Sequence, residues 1–170
     1  MAYLKTKIAN KYLIKQAQMT SFIILKIIKN IMKYGKFDKF YNILIKGAKK
    51  AVYHLQKTHG IKINLIKLLI STISYLGPFC DLKTIRASGR RVQVPAPFRG
   101  QRKVMVSVKF FVDGIFSCAK KYGFNIIRAI KEELILLYFK KTTSEAFQKK
   151  QDFIKSLFYN EKHLRFLKGL

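Results

Sequence analysis

The chain has 170 residues and carries 35 Lys+Arg against 8 Asp+Glu, a formal net charge of +27. That length suits one domain with a modest core, while so large an excess charge opposes folding by self-repulsion and points to a polyanionic partner, either nucleic acid or an anionic membrane face. An apolar fraction of 49% excludes a disordered basic tail, and the longest run without Asp, Glu, Lys or Arg, Leu68 to Cys80, is shorter than the roughly 20 apolar residues a bilayer span takes.

Residues 1–37 hold many Lys but no acid and no Arg. Mitochondrial targeting segments are rich in Arg and Ser, whereas this stretch is rich in Ile and Lys, so a structural N-terminus is expected rather than a cleaved presequence. A first helix is expected over Ser21–Lys36, capped by Thr20 or Ser21 and ended by Gly35. Its apolar stripe is Ile24, Ile27, Ile28 and Ile31, with Lys26, Lys29 and Lys33 beside it.

A second helix should run from about Asp38 to Thr58, closed by Gly60. Phe40, Ile43, Leu44, Gly47, Ala48, Ala51 and Leu55 line one face, and the small residues allow close packing. A third helix, from about Asn64 to Leu76, presents Leu65, Leu68, Leu69 and Ile73 and stops at Gly77-Pro78.

Residues 82–98 change period. Two short alternating runs, Leu82–Ala87 and Arg90–Val94, flank Ser88-Gly89 and predict a β-hairpin whose ladder Pro95 and Pro97 end. A long helix is expected over Gln101–Tyr122, then one over Asn125–Lys141 with Ile127, Ile130, Leu134 and Leu137 inward. A last helix is expected over Ser144–Arg165, with Ser144 as N-cap and Phe147, Ile154, Leu157, Phe158 and Leu164 packing on the bundle. The fold class is therefore mainly α, a single-domain bundle of about six helices with a protruding two-stranded hairpin.

Arginine is distributed unevenly. Five of the seven, Arg86, Arg90, Arg91, Arg99 and Arg102, fall between positions 86 and 102, and no acid occurs between Leu82 and Phe110. Guanidinium is a planar fork that donates to two phosphate oxygens and stacks on bases. A ribbon bearing it on both strands can lie along a groove or reach into a loop of folded RNA. Lys149-Lys150, near the start of the last helix, sit unfavourably for the helix dipole and lean towards phosphate contact, whereas Lys140-Lys141 at a helix end suit the dipole.

No catalytic constellation is visible. Glu132 and Glu133 are adjacent on a helix, so their side chains diverge. There is no phosphate-binding Gly-rich loop followed by Lys-Ser/Thr, and no Ser or Cys has a histidine in triad order. Cys80 and Cys118 read as reduced core thiols, and neither has a histidine at zinc-ligand spacing. No enzyme activity, cofactor or metal is expected.

Gln93-Val94-Pro95, with Arg86 and Gly89 before it and Arg99, Arg102 and Lys103 after it, resembles the hairpin and flanks of the small-subunit ribosomal protein seven family. Ser88 replaces that family's first turn glycine, and Lys109-Phe110 stands where Arg-Trp is typical. Met32-Lys33-Tyr34-Gly35-Lys36, Pro78 and the segment Ala146 to Asp152 fall on further family positions, so the likeness runs in one order over roughly residues 21–166. The helix after the hairpin is about one turn longer than in the family, and His163-Leu164-Arg165-Phe166 replaces a common His-Tyr-Arg-Trp.

The resemblance implies a structural constituent of the small ribosomal subunit that binds the three-prime major (head) domain of small-subunit rRNA and acts early in head assembly. It implies rRNA contact by Lys33, Lys36, Lys83, Arg86, Arg90, Arg91, Arg99, Arg102, Lys103, Lys109, Lys149 and Lys150. It also implies that Ser88, Gly89, Arg90 and Arg91 face exit-site tRNA and the mRNA exit path, with other head proteins as neighbours. Residues 1–20 are then an extension and 21–170 the ribosomal-protein domain. A composition heavy in Ile, Lys, Phe and Tyr points to a divergent organellar version, mitochondrial first, with a chloroplast or AT-rich bacterium as alternatives. Two other classes share the charge: an architectural DNA-binding (nucleoid) protein, and a peripheral membrane protein using the Lys-rich helix at 21–36.

Overall fold

The computed structural model describes residues 21–167 apart from Lys33, Ser88 and Arg99. The expected extension at 1–20 lies outside the described residues. Helix α1 occupies residues 21–31, α2 Phe37–His59, α3 Leu65–Leu76, α4 Arg102–Lys121, α5 Ile126–Tyr138 and α6 Glu145–Tyr159. Strands β1 (Asp81–Ala87) and β2 (Arg90–Ala96) form an antiparallel hairpin between α3 and α4, and a 3₁₀ segment, Glu161–Leu167, follows α6. The mainly α bundle with its two-stranded ribbon is the expected architecture.

The apolar stripes make one core. Ile27 and Ile28 of α1, Leu44 and Leu55 of α2, Leu68 and Leu69 of α3, Phe111 and Ile115 of α4, and Ile130 and Leu134 of α5 are all buried in it. α2 packs chiefly on α5, where Gly47 lets the helices approach until a Cβ there would lie 2.8 Å from Ile130 Cγ2. α4 packs on α6 across a closer contact: a Cβ at Gly114 would lie 2.6 Å from Ala146 Cβ.

Helix ends follow their capping chemistry. Asn64, Asn125 and Ser144 accept the backbone N–H of Ile66, Arg128 and Phe147 respectively. Gly60, at φ +66°, takes the left-handed conformation that lets its N–H return to Gln56 O and close α2. At the end of α5, Lys140 sits at φ +54°, its N–H bonded to Leu137 O, while the Lys141 N–H reaches Leu136 O. That six-to-one closure ends the helix at Tyr138, three residues before the expected Lys141.

Two further boundaries differ from the sequence reading. α1 does not reach Lys36, because Tyr34 (φ +55°) and Gly35 (φ +68°) are both left-handed and cannot continue a right-handed helix. α6 stops at Tyr159 rather than Arg165: Asn160 Nδ2 donates to Ser156 O at 2.7 Å, competing for a helix carbonyl, and the chain tightens into the 3₁₀ segment against β2. Phe158 and Leu164, expected on the bundle, are instead 62% and 39% exposed around a small apolar recess with Phe79, Pro95 and Pro97.

The fourth correction concerns the ribbon. Pro95 does not end the ladder, which continues to Asp81↔Ala96 with Leu82↔Pro95 inside it. Counting outward from the two-residue loop, Leu82↔Pro95 is a non-hydrogen-bonded pair, so proline's missing N–H falls on the ribbon's open edge and no ladder bond is lost. Cys118 is buried as expected, and burial, with Glu133 nearby, pushes its thiol up to about 11. Cys80 is only half-buried, and both thiols are free.

Candidate nucleic-acid interface

The ribbon touches the body mainly where β2 meets the 3₁₀ segment, with Val94 buried at that base. Farther out, Lys83, Arg86, Arg90 and Arg91 are all exposed. Gly89, at φ +76°, supplies the left-handed residue of the tight turn beside Arg90, while Ser88 lies outside the described residues.

Register decides what each face carries. Leu82, Thr84, Arg86, Arg91, Gln93 and Pro95 share one face, and Lys83, Ile85, Arg90, Val92 and Val94 the other. Arg86 stands directly opposite Arg91. Like charges in that position repel, and among the described residues neither guanidinium pairs with an acid. The fold gains nothing from this pair, whereas a phosphate held between the two forks would neutralise both.

The same face leads into a cleft. Leu82 and Gln93 line an open cleft of about 1060 Å³ formed by α1, the ribbon base, α4 and α6. Five cations border it: Lys26 and Lys29 from α1, Arg102 and Lys109 from α4, and Lys149 from α6. Three acids, Asp81, Asp113 and Asp152, border it as well. Arg102 Nε pairs with Asp81 Oδ2, which ties the start of α4 to the first ribbon residue and holds that guanidinium at the cleft mouth. From Leu82 to Arg86 is four residues, about 13 Å of strand, so the arginine pair stands on the ribbon face that enters the cleft, with the neutral Thr84–Gln93 pair between.

The structure thus brings Arg102, Lys109 and Lys149 together and places Arg86 and Arg91 on the adjoining ribbon face. Lys83 and Arg90 occupy the opposite ribbon face. Lys36 is exposed at the N-cap of α2 and Lys103 is exposed on the first turn of α4, and neither lines the cleft. Lys33 and Arg99 lie outside the described residues.

Lys150 behaves differently from Lys149. Its ammonium donates to the Tyr75 carbonyl and lies 4.8 Å from the Tyr75 ring centroid, fastening α6 to α3. Burial, and then Lys103, lower its pKa, as a half-buried cation requires. Part of its donor capacity is thus engaged within the fold. Lys26 and Lys29, by contrast, read in the sequence only as the flank of a helical stripe; an acid-free i, i+3 pair was the available signal, and the position of α1 against α4 makes it part of the cleft.

The neighbouring glutamates part company. Glu132 faces Lys131 at 3.4 Å. Glu133 is fully buried, accepting the Ser144 hydroxyl at 2.6 Å and the Glu145 N–H at 3.1 Å at the start of α6. Burial raises its pKa against the lowering effect of those bonds. Among the described residues no three His, Cys, Asp or Glu side chains cluster to hold a metal ion, and no helix is long and apolar enough to cross a membrane.

Fold and site together define a basic helical-bundle protein with an exposed arginine-bearing ribbon beside a cleft bordered by lysine and arginine. A model of the family described as Ribosomal protein S7p/S5e matches residues 4–156, and the chain belongs to that family. Small ribosomal subunit protein uS7 of Xylella fastidiosa (strain M12) is 29% identical over 112 residues, 61% of this chain and 70% of that protein. Small ribosomal subunit protein uS7 of Wolbachia sp. subsp. Brugia malayi (strain TRS) is 22% identical over 139 residues, 81% of this chain and 82% of that protein. Family membership supports a structural role in the small ribosomal subunit, in a family that is structural rather than enzymatic.

Proposed function

We propose that the protein binds the three-prime major domain of small-subunit rRNA and supports assembly of the subunit head. The carrying observation is the unpaired Arg86–Arg91 couple on the ribbon face that runs into the basic cleft. RNA backbone lies along that face and cleft, contacted by Arg86, Arg91, Arg102, Lys109 and Lys149, with Lys26 and Lys29 added from α1. Lys36, Lys83 and Lys103 add contacts outside the cleft, and Lys33 and Arg99 are assigned to rRNA by the family resemblance alone. The ribbon tip, Ser88 to Arg91, approaches exit-site tRNA and the mRNA exit path, and other head proteins pack nearby. The Ile-, Lys- and Phe-rich composition supports an organellar version, mitochondrial first, with a chloroplast or AT-rich bacterium as the alternatives.

The test is Arg90→Glu with Arg91→Glu. The variant folds with unchanged far-UV CD but binds a transcript of the head domain more weakly and sediments less with the small subunit. With about six phosphate contacts, wild-type affinity falls by about 10³ between 50 and 200 mM salt, by analogy with duplex DNA. Normal assembly and normal transcript affinity in the double variant would refute this role for the ribbon. Preference for duplex DNA over the transcript would favour a nucleoid protein instead.

A further inference from the structure

Helix α2 carries a second basic surface outside the cleft. Its buried side is Leu44, Gly47, Ala48, Ala51 and Leu55, packed mainly on α5. At about 100° per residue, Lys39, Lys46, Lys50, Tyr53 and Lys57 fall within about 60° of one another on the opposite side. All five are exposed, Tyr53 by 66%. From Lys39 to Lys57 the ridge is about 27 Å long.

Nothing in the fold requires this ridge. The single acid of α2, Asp38, lies in its first turn, and among the described residues no α2 lysine forms an ion pair. Lys46 and Lys50 are like charges at i, i+4, an arrangement that weakens a helix by about 0.2–0.5 kcal/mol. Tyr53 stands beside a shallow depression of about 520 Å³ that Lys49, Lys50 and Lys57 share with Lys131 of α5. An exposed ring set among lysines is the arrangement on which single-stranded nucleic acid stacks while its phosphates are neutralised. A membrane fits less well, because the apolar face of α2 is already occupied by the bundle.

We propose that this ridge is a second RNA-backbone site, taking a strand other than the one in the cleft, so that the protein joins two RNA segments. The inference rests on the reading of the chain as an rRNA-binding protein. No α2 residue lines the cleft, so RNA seated there leaves the ridge free. Lysine is a point charge without a bidentate fork, so the ridge holds phosphates without reading sequence, and Tyr53 stacks on an unpaired base.

The experiment compares three full-length proteins on a head-domain transcript: wild type, the ridge triple Lys46→Gln/Lys50→Gln/Lys57→Gln, and a control triple of equal net charge, Lys62→Gln/Lys67→Gln/Lys120→Gln. Each lost phosphate contact lowers the slope of log affinity against log salt by about 0.7–0.9. The affinity ratio of wild type to ridge triple therefore shrinks roughly 20- to 40-fold between 50 and 200 mM salt. The control triple keeps the wild-type slope. Hydroxyl-radical protections lost in the ridge triple fall on a different RNA segment from those lost in Arg90→Glu/Arg91→Glu. Equal slopes in the two triples, or loss of the same protections as the ribbon variant, overturns the proposal. Weakened binding of the ridge triple to phosphatidylglycerol vesicles, with transcript slopes unchanged, overturns it in favour of a lipid surface. Ridge loss without ribbon loss refutes the ribbon reading alone, and the reverse refutes the ridge alone.

Discussion

Arg91→Thr separates a residue kept for a partner from one kept for the fold, because the two effects have opposite sign. Arg91 faces Arg86 across a non-hydrogen-bonded position of the ribbon, where Cβ atoms are about 4.5–5.5 Å apart. With both side chains exposed, the dielectric is close to that of water, and two unit charges about 6 Å apart repel by about 0.7 kcal/mol. Threonine removes this repulsion and suits a strand. The variant should gain about 0.3–0.7 kcal/mol, a Tm rise of about 1–2 °C in a chain of this size. The gain should fade in 1 M salt, where the screening length is about 3 Å. RNA affinity should drop, since a charge-assisted hydrogen bond is worth about 1.5–3 kcal/mol, or about 10- to 150-fold. Calorimetric melts at two salt concentrations and filter binding to the head-domain transcript measure both effects. A variant that is less stable than wild type, yet binds the transcript equally well, would show that Arg91 serves the ribbon and not RNA.

Two core positions give further tests. Glu133→Ala leaves the buried Ser144 hydroxyl and the Glu145 N–H without their acceptor and should cost about 2–4 kcal/mol in urea melts, with Glu133→Gln costing less. Because burial raises the folded pKa of Glu133 above its unfolded value of about 4.3, the protonated form is favoured in the fold. Its contribution is full below about pH 4.3 and lost as pH rises through the folded pKa, so wild type should gain on Glu133→Gln as pH falls through that range. Gly114→Ala places a methyl 2.6 Å from the backbone nitrogen of Ala146 and should cost about 1–3 kcal/mol, lowering Tm by roughly 3–10 °C. Gly47→Ala meets the movable side chain of Ile130 and should cost less.

What the sequence determined by itself was local. Apolar residues recurring every three or four positions placed α2 and α3 to within a residue or two, since a helix exposes its period within a short window. Ser144 announced the start of α6, because an N-cap needs only a side-chain oxygen and the next few N–H groups. The alternating runs around Ser88-Gly89 and the crowding of arginine between 86 and 102 located the ribbon and its charge.

The tertiary structure decided what those charges face. Lys149 and Lys150 are neighbours in the chain, yet one borders the cleft and the other donates to Tyr75, 75 residues away. Lys26 and Lys29 join Lys109 only because α1 lies beside α4, and Glu133 is buried only because the start of α6 is brought onto α5. Periodicity records which side of an element is apolar, but not which remote element covers it. The close contacts that choose the covering partner, Gly47 on Ile130 and Gly114 on Ala146, join residues far apart in the chain, and no local window contains both.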